Sequence, residues 1–180
     1  YTRNSEDVYS FTFQYTTDKE ATVSFSHTFQ NERVNAKIKL VKEDSETGKT
    51  AQGDATLEGA VYGLYAREDI VHPDGQTGVL YPAGTQIATL TTDAEGNAEI
   101  ADLYLGKYYV KELTPPVGYL ADPEEHDLEC NDEGDLVQTV ERTATSLEDV
   151  IKQPFQVIKA ANNGKTDADL LKGVGFRAYL

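Results

Sequence analysis

The sequence predicts an all-β protein built as a β-sandwich, with one complete domain flanked by parts of two others. Three observations support this fold class. Apolar and aromatic residues alternate with polar ones in several short runs, which is the pattern of half-buried strands. Turn-forming residues separate these runs at short intervals, and no stretch carries a convincing helical period. Short strands with frequent turns favour a sandwich over an alternating β–α fold.

The candidate strands follow one another along most of the chain. In order, the alternating runs lie at 9–15, 23–29, 38–42, 87–90, 108–112, 136–140 and 147–151. The turn signals, which are rich in Gly, Pro, Asp and Asn, lie at 46–48, 73–75, 93–97, 115–118 and 132–134. Because the turn signals fall outside the alternating runs, the two patterns together predict a succession of short strands separated by turns.

Composition excludes several classes of function. The chain has 16 Lys and Arg against 31 Asp and Glu, a net charge of −15, which argues against binding to nucleic acid or to an anionic membrane. No apolar run is long enough to span a membrane. Cys130 is the only cysteine, so no intrachain disulfide can form. The three histidines are widely spaced and form no metal-binding pair, and we expect neither a metal nor a cofactor.

An internal repeat sets the predicted domain organisation. Residues 57–65 resemble 171–179, and residues 38–42 resemble 155–159. The simplest interpretation is that 1–33 are the closing strands of a preceding repeat, 34–151 form a complete domain, and 155–180 open a following repeat. The chain does not start with Met, and we therefore expect it to be a segment of a longer protein.

Three charged residues stand in alternating apolar stripes. Lys42 ends the stripe 38–42, Glu112 ends the stripe 108–112, and Asp149 lies in the middle of 147–151. Side chains two positions apart on a strand point to the same face, so we expect all three to face inward. A buried lysine with two carboxyl groups is either an ion cluster or the components of a covalent crosslink. Because the desolvation of an ion cluster is costly, we interpret the trio as a lysine–aspartate isopeptide site.

Four motifs carry a resemblance to a known family. In chain order they are Ile-Lys-Leu-Val-Lys-Glu-Asp at 38–44, Leu-Glu-Gly-Ala at 57–60, Gly-Lys-Tyr-Tyr-Val-Lys-Glu at 106–112 and Pro-Pro-Val-Gly-Tyr at 115–119. Together they resemble the Cna B-type, or SpaA-like, repeats of Gram-positive surface adhesins and pilins. The resemblance implies a Greek-key, prealbumin-like β-sandwich. It also implies that Lys42 bonds to Asp149 with Glu112 as the proton relay, and that Asn31 and Lys159 are half-sites of the neighbouring repeats.

The chemistry of such a crosslink requires a neutral amine and an electrophilic carboxyl group. Burial disfavours the charged forms of both, so a dry core favours amine plus acid over ammonium plus carboxylate. A protonated glutamate can then polarise the acceptor and relay the proton from nitrogen. The protein would act once on itself and would not be a turnover enzyme.

The resulting functional prediction is a structural spacer repeat of a surface adhesin or pilus-like protein, extracellular and anchored to the cell wall through the full-length protein. Its partners would be the neighbouring repeats of the same protein, and a host-surface ligand is a further candidate partner. We expect no nucleic acid and no membrane insertion in this segment. Two alternatives stay open. The domain could be a ligand-binding module that uses loops such as 67–86 for a host glycan or matrix protein, or an accessory domain of a secreted hydrolase.

Overall fold

The computed structural model of this chain describes residues 8–12, 14, 22, 24–158 and 175–178. Nine strands lie in this part of the chain, which contains no helix. They are β1 (Asn35–Asp44), β2 (Val61–Ala66), β3 (Ile70–Val71), β4 (Val79–Tyr81), β5 (Gln86–Thr91), β6 (Asn97–Leu103), β7 (Gly106–Thr114), β8 (Glu125–Cys130) and β9 (Thr139–Glu148). The all-β prediction is therefore confirmed for the described residues.

The strands form two main sheets and one small hairpin. One sheet has the order β6-β1-β9, the other has the order β5-β2-β7-β8, and β3 pairs only with β4. The first and last strands are neighbours: β1 runs parallel to β9 over ten residue pairs, from Asn35 opposite Thr139 to Asp44 opposite Glu148. A domain whose two ends share one parallel ladder is well arranged for a crosslink between its first and last strands.

The hydrophobic core contains side chains from both main sheets. Strand β1 alternates half-buried and buried residues along its whole length, so one face of the strand packs into the core. The members of the core cluster from the sheet of β1 are Ala36, Ile38, Leu40, Leu103, Val140 and Ala144. Those from the opposite sheet are Tyr62, Leu64, Ala66, Leu90, Tyr108, Val110, Leu128 and Cys130. Burial of these apolar faces drives the two sheets together.

The tandem organisation stays a prediction. The described residues of 8–30 lie in no strand, contrary to the alternation there, although Tyr9 stacks on His27 with ring centroids 4.6 Å apart and Phe11 lies 4.8 Å from Phe25. Most of the predicted following repeat, 155–180, lies outside the described residues. Across the described positions, no helix is long and apolar enough to cross a membrane.

Candidate functional site: a buried lysine between two carboxyl groups

The ladder between β1 and β9 brings a lysine and a glutamate together inside the domain. Lys42 lies opposite Ser146, and Glu148 follows two residues later on the same face of β9. All three are buried; Lys42 is 0 % exposed and Glu148 is 3 % exposed. The Lys42 Nζ atom lies 2.6 Å from Glu148 Oε2.

The environment of the amine is unusual for a buried charge. Its Nζ atom lies 4.1 Å from the centroid of the Tyr119 ring. Within the described part of the chain, neither Lys42 Nζ nor Glu148 Oε2 makes a contact with hydrogen-bond geometry, despite the 2.6 Å that separates them. A buried ammonium is normally surrounded by several acceptors, because each unsatisfied donor adds to the cost of desolvation. The amine and the carboxyl oxygen are thus close together, yet they are not arranged as a saturated salt bridge.

Glu112 reaches the same place from the opposite sheet. It lies on β7 opposite Tyr62 of β2, is 8 % exposed, and accepts a hydrogen bond of 2.7 Å at Oε2 from the Asp122 backbone N–H. Its other oxygen, Oε1, is buried without a hydrogen bond to any described residue. Burial raises the pKa of Glu112 to about 7, and the neighbouring Glu148 adds to this rise. The hydrogen bond from the Asp122 N–H and the charge of Lys42 act in the opposite direction and lower the pKa. Glu112 can therefore carry a proton near neutral pH.

The second oxygen of Glu148 has defined donors. The Tyr62 hydroxyl donates to Glu148 Oε1 over 2.8 Å, and Ser146 Oγ lies 3.2 Å from the same atom. Ser146 Oγ also donates to Asp122 Oδ2 over 2.8 Å, and that oxygen lies 2.8 Å from His126 Nε2. Burial raises the pKa of Tyr62 far above its ordinary value, so its hydroxyl stays a neutral donor.

Asp44 fixes the position of Tyr119, whose ring lines the site beside Lys42. The Tyr119 hydroxyl donates to Asp44 Oδ2 over 2.9 Å, while the backbone N–H groups of Glu46 and Thr47 donate to Asp44 Oδ1. Burial raises the pKa of Asp44, but these hydrogen bonds and the amide of Gln52 outweigh it and leave the pKa well below the ordinary value. An ionised Asp44 thus holds the Tyr119 ring against the Lys42 amine.

The predicted position of Asp149 is wrong. Its side chain is exposed and accepts a hydrogen bond of 2.5 Å from the Ser45 hydroxyl. Leu147 and Ile151, whose apolar character suggested the inward stripe, are 60 % and 51 % exposed. The inward face of β9 is the other parity, with buried Val140, Ala144, Ser146 and Glu148. We therefore do not retain Asp149 as the crosslink acceptor.

The other predicted residues have different outcomes. Lys42 and Glu112 lie inside, on the faces that the alternation indicates, while their chemical roles stay predictions. Asn31 is exposed, and Lys159 lies outside the described residues, so the two half-sites also stay predictions.

Parity in the sequence puts Glu148 on the face of Val150 and Lys152, and on that ground Glu148 is rejected as the acceptor; the structure shows that this rejection is wrong, because Glu148 is buried. Sequence reasoning also missed Ser146 and Tyr62. The signal for Glu148 and Ser146 was the alternation that starts at Val140 and continues through Ala144, although its last members are polar.

No metal site accompanies this cluster. Among the described residues, no group of three or more His, Cys, Asp or Glu side chains is placed to hold a metal ion. The free thiol of Cys130 is buried in the core, where burial raises its pKa, as expected for an inert cysteine.

Comparison with known proteins identifies the family. The SpaA family, described as a prealbumin-like fold domain, matches residues 36–144, which is more than half of the chain. A comparison with curated protein sequences finds no significant match.

Solved structures similar to this chain come from several Gram-positive bacteria. The Bacillus anthracis TIE protein is 20 % identical over 66 % of this chain and 18 % of its own, with a TM-score of 0.46. The full-length major pilin SpaD of Corynebacterium diphtheriae is 18 % identical over 68 % of this chain and 32 % of its own, with a TM-score of 0.45. The group B streptococcus pilus 2b backbone protein is 22 % identical over 63 % of this chain and 40 % of its own, with a TM-score of 0.43.

This chain corresponds to less than half of the length of each of those three proteins. The matched segment contains the motifs at 38–44 and 106–112. It also contains most of the two parallel strands that carry Lys42 and Glu148, although Glu148 itself lies just beyond its end. The chain belongs to the SpaA family of prealbumin-like fold domains.

Proposed function

We propose that this domain is a structural spacer of a pilus-like or adhesin-type surface protein, stabilised by an isopeptide bond between Lys42 and Glu148. Membership of the SpaA family and the motifs shared with surface repeats support the structural role. The domain would be extracellular, as part of a longer protein anchored to the cell wall, and its partners would be the neighbouring repeats. It would carry out one reaction on itself and no turnover.

One observation supports the bond above all others. Lys42 Nζ lies 2.6 Å from a Glu148 oxygen in a fully buried site, and neither atom makes a hydrogen bond to any described residue. As a salt bridge, this arrangement would leave a buried ammonium poorly solvated, a cost that often exceeds the Coulomb gain. As an amide, the same atoms carry no net charge, and that cost disappears.

The reaction balances with the groups present. With the proton moved from nitrogen to the carboxylate, the Lys42 amine attacks Cδ of the Glu148 acid. Protonated Glu112 gives its proton to the leaving hydroxyl of Glu148 and then takes one from the attached nitrogen. Of the three protons of the original ammonium, one stays on the amide nitrogen, and the other two leave with one Glu148 oxygen as water. Glu112 ends in the protonation state in which it began.

The fold contributes mainly by positioning. The parallel ladder fixes Lys42 and Glu148 on one sheet, and β7 brings Glu112 from the other sheet. Converting a bimolecular encounter into a positioned one lowers the barrier by up to about 7–11 kcal/mol for well-oriented groups. The reaction therefore requires only the folded domain and no external catalyst.

The mechanical consequence follows from the strand order. Force applied to the ends of the domain enters at the start of β1 and leaves at the end of β9. Lys42 lies near the C-terminal end of β1, and Glu148 is the last residue of β9, which runs parallel to β1. A Lys42–Glu148 amide would carry the tension from the first strand directly to the last. The strands between them would bear no load, which suits a spacer in a protein under shear.

The alternative function as a ligand-binding module has no specific support. Residues 67–86 contain the short hairpin of β3 and β4, and their exposed large apolar residues are Val71 and Val79. An exposed aromatic cluster, which would favour a glycan ligand, is not found among the described residues of this segment.

Four variants with intact-mass measurement test the proposed acceptor. The wild-type chain is expected to weigh one water, about 18 Da, less than its sequence mass, and Lys42→Ala should restore the full mass. Glu148→Ala should also restore it, whereas Asp149→Ala, the matched neighbouring carboxylate, should retain the loss. Glu148→Gln should lose ammonia, about 17 Da, because an amide acceptor releases ammonia. An 18 Da loss that survives in Glu148→Ala and disappears in Asp149→Ala would contradict the assignment to Glu148.

A further inference from the structure

The Tyr62 hydroxyl has a place in the site that the lysine, the acceptor and Glu112 do not explain. It is fully buried on β2, in the sheet opposite Lys42, and it donates to Glu148 Oε1 over 2.8 Å. The Lys42 amine lies instead at the second oxygen, Oε2. The two oxygens of the acceptor carboxyl group therefore have different surroundings, one facing the nucleophile and the other facing a phenol.

Among the described residues, Ser146 is the only other hydrogen-bond partner of Glu148 Oε1, and its hydroxyl proton is used in a hydrogen bond to Asp122. It has one proton and two acceptors in reach, Asp122 Oδ2 at 2.8 Å and Glu148 Oε1 at 3.2 Å. Burial raises the pKa of Asp122, but hydrogen bonds from the Glu124 backbone, His126 and Ser146 outweigh it and keep the pKa below the ordinary value. The shorter contact to an ionised carboxylate takes the Ser146 proton. This leaves Tyr62 as the donor to Glu148 Oε1.

We propose that Tyr62 is a catalytic residue of the crosslinking reaction, whose hydroxyl stabilises the negative charge that develops on Glu148 Oε1. The inference rests on the proposed function, since it assigns a role within the same reaction. It adds an oxyanion donor to a site in which Glu112 handles only the protons.

The steps of the reaction fit this division of roles. As Lys42 Nζ attacks Cδ, the π electrons of the carbonyl move onto Oε1, where the Tyr62 hydroxyl is already in place. Oε2 accepts the proton from Glu112 and leaves as water, and the electron pair on Oε1 re-forms the carbonyl of the amide. A donor aimed at the atom where charge grows stabilises the transition state more than the neutral acid, which is the requirement for catalysis. Tyr62 neither gains nor loses a proton overall.

A second buried tyrosine, which lies outside the site, provides a matched control. Tyr108 lies on β7, and its hydroxyl donates to the backbone carbonyl of Tyr104 and not to Glu148. Both tyrosines are buried, and the change to Phe removes a single oxygen in each case. Loss of a buried hydroxyl is thus common to both variants, and only Tyr62→Phe removes the contact to the reacting carboxyl.

The test measures the rate of water loss in the full chain. Wild type, Tyr62→Phe and Tyr108→Phe are produced as inclusion bodies, dissolved in urea so that they have never folded, and refolded by dilution. Samples are quenched in acid at intervals, and the fraction lighter by 18 Da is read by intact mass. Removal of one oxyanion donor typically slows such reactions by about 10²–10³-fold. We expect this slowing for Tyr62→Phe, and a rate within about threefold of wild type for Tyr108→Phe.

A parallel measurement separates chemistry from folding. Protease resistance of the refolded, still uncrosslinked Tyr62→Phe chain should develop at the same rate as in the non-reacting Lys42→Ala chain. Water loss from Tyr62→Phe at the wild-type rate would overturn the role of Tyr62 and leave the proposed function intact. Equal slowing in both Phe variants would also overturn it, because the effect would then be structural. Absence of water loss in wild type would overturn the proposed function and this inference together.

Discussion

A double variant, Lys42→Met with Glu148→Gln, isolates the contribution of the covalent bond to stability. The change keeps the volume of both side chains, leaves an acceptor for the Tyr62 hydroxyl and removes both charges, so no unpaired buried ion remains. The amine needed for crosslinking is gone. The difference from wild type is therefore mainly the effect of the crosslink on the unfolded chain.

The magnitude follows from the length of the closed loop. Residues 42 and 148 are 106 positions apart, and the entropy of closing a loop of this length corresponds to about 4–5 kcal/mol if the relation for disulfides applies. For a domain of this size, that difference lowers the melting temperature by about 15–25 °C. The single variant Lys42→Met should lose about 3–5 kcal/mol more, because Glu148 then stays buried without its partner.

Denaturant unfolding of the three proteins checks these values. The crosslinked wild type should also show a smaller m-value, since its unfolded chain exposes less surface. A double variant within about 1 kcal/mol of wild type, with an unchanged m-value, would refute the presence of a stabilising crosslink.

Three further predictions address the site and its surroundings. Because burial raises the pKa of Glu112 to about 7, Glu112 loses its proton as the pH is raised through about 7, so the rate of water loss on refolding should fall there, and Glu112→Gln should be slow at every pH. A wild-type rate that rises across this pH interval would contradict the role of Glu112 as an acid. Gly96→Ala should destabilise the domain by at least about 2 kcal/mol in thermal unfolding, since its φ is +78° and the new Cβ would clash with the Lys42 carbonyl oxygen. Gly48→Ala, which has a similar φ but open space around the new Cβ, should cost about 1 kcal/mol, and equal losses in the two variants would show that the clash is unimportant. In single-molecule stretching, the double variant should release roughly 35 nm of chain that wild type does not release, as expected for about a hundred extended residues; the same extension in wild type would exclude the crosslink.

The fold was largely predictable because its strands obey simple alternation. In β1 every second residue from Ala36 to Asp44 is buried, and three of these five positions, Ile38, Leu40 and Lys42, form the stripe that the sequence shows directly. The same applies to the motif of β7 that carries Glu112. Alternation alone does not make a strand, because a strand also needs a pairing partner: the described residues of 8–30 alternate but lie in no strand, and their place in a preceding repeat stays a prediction.

The acceptor was missed for a physical reason. On β9 the inward face ends in Ser146 and Glu148, while the apolar Leu147 faces outward on a strand at the edge of its sheet. Hydrophobic alternation assigns the apolar parity to the interior, so it necessarily fails where a polar cluster fills the core. The ladder that pairs Lys42 with Ser146 determines the correct parity, and strand pairing cannot be read from local alternation. Tyr62 could not be singled out from the sequence either, because a buried tyrosine in an alternating strand resembles an ordinary core residue.

The most direct test of the central claim is tandem mass spectrometry of the trypsin-digested wild-type chain. If Lys42 is joined to Glu148, cleavage after residue 42 is blocked, and a branched peptide should connect residues 40–49 with residues 143–152 at the sum of their masses minus one water. Fragment ions should place the link on Glu148. Recovery of both peptides in unlinked form, with cleavage after Lys42, would contradict the account.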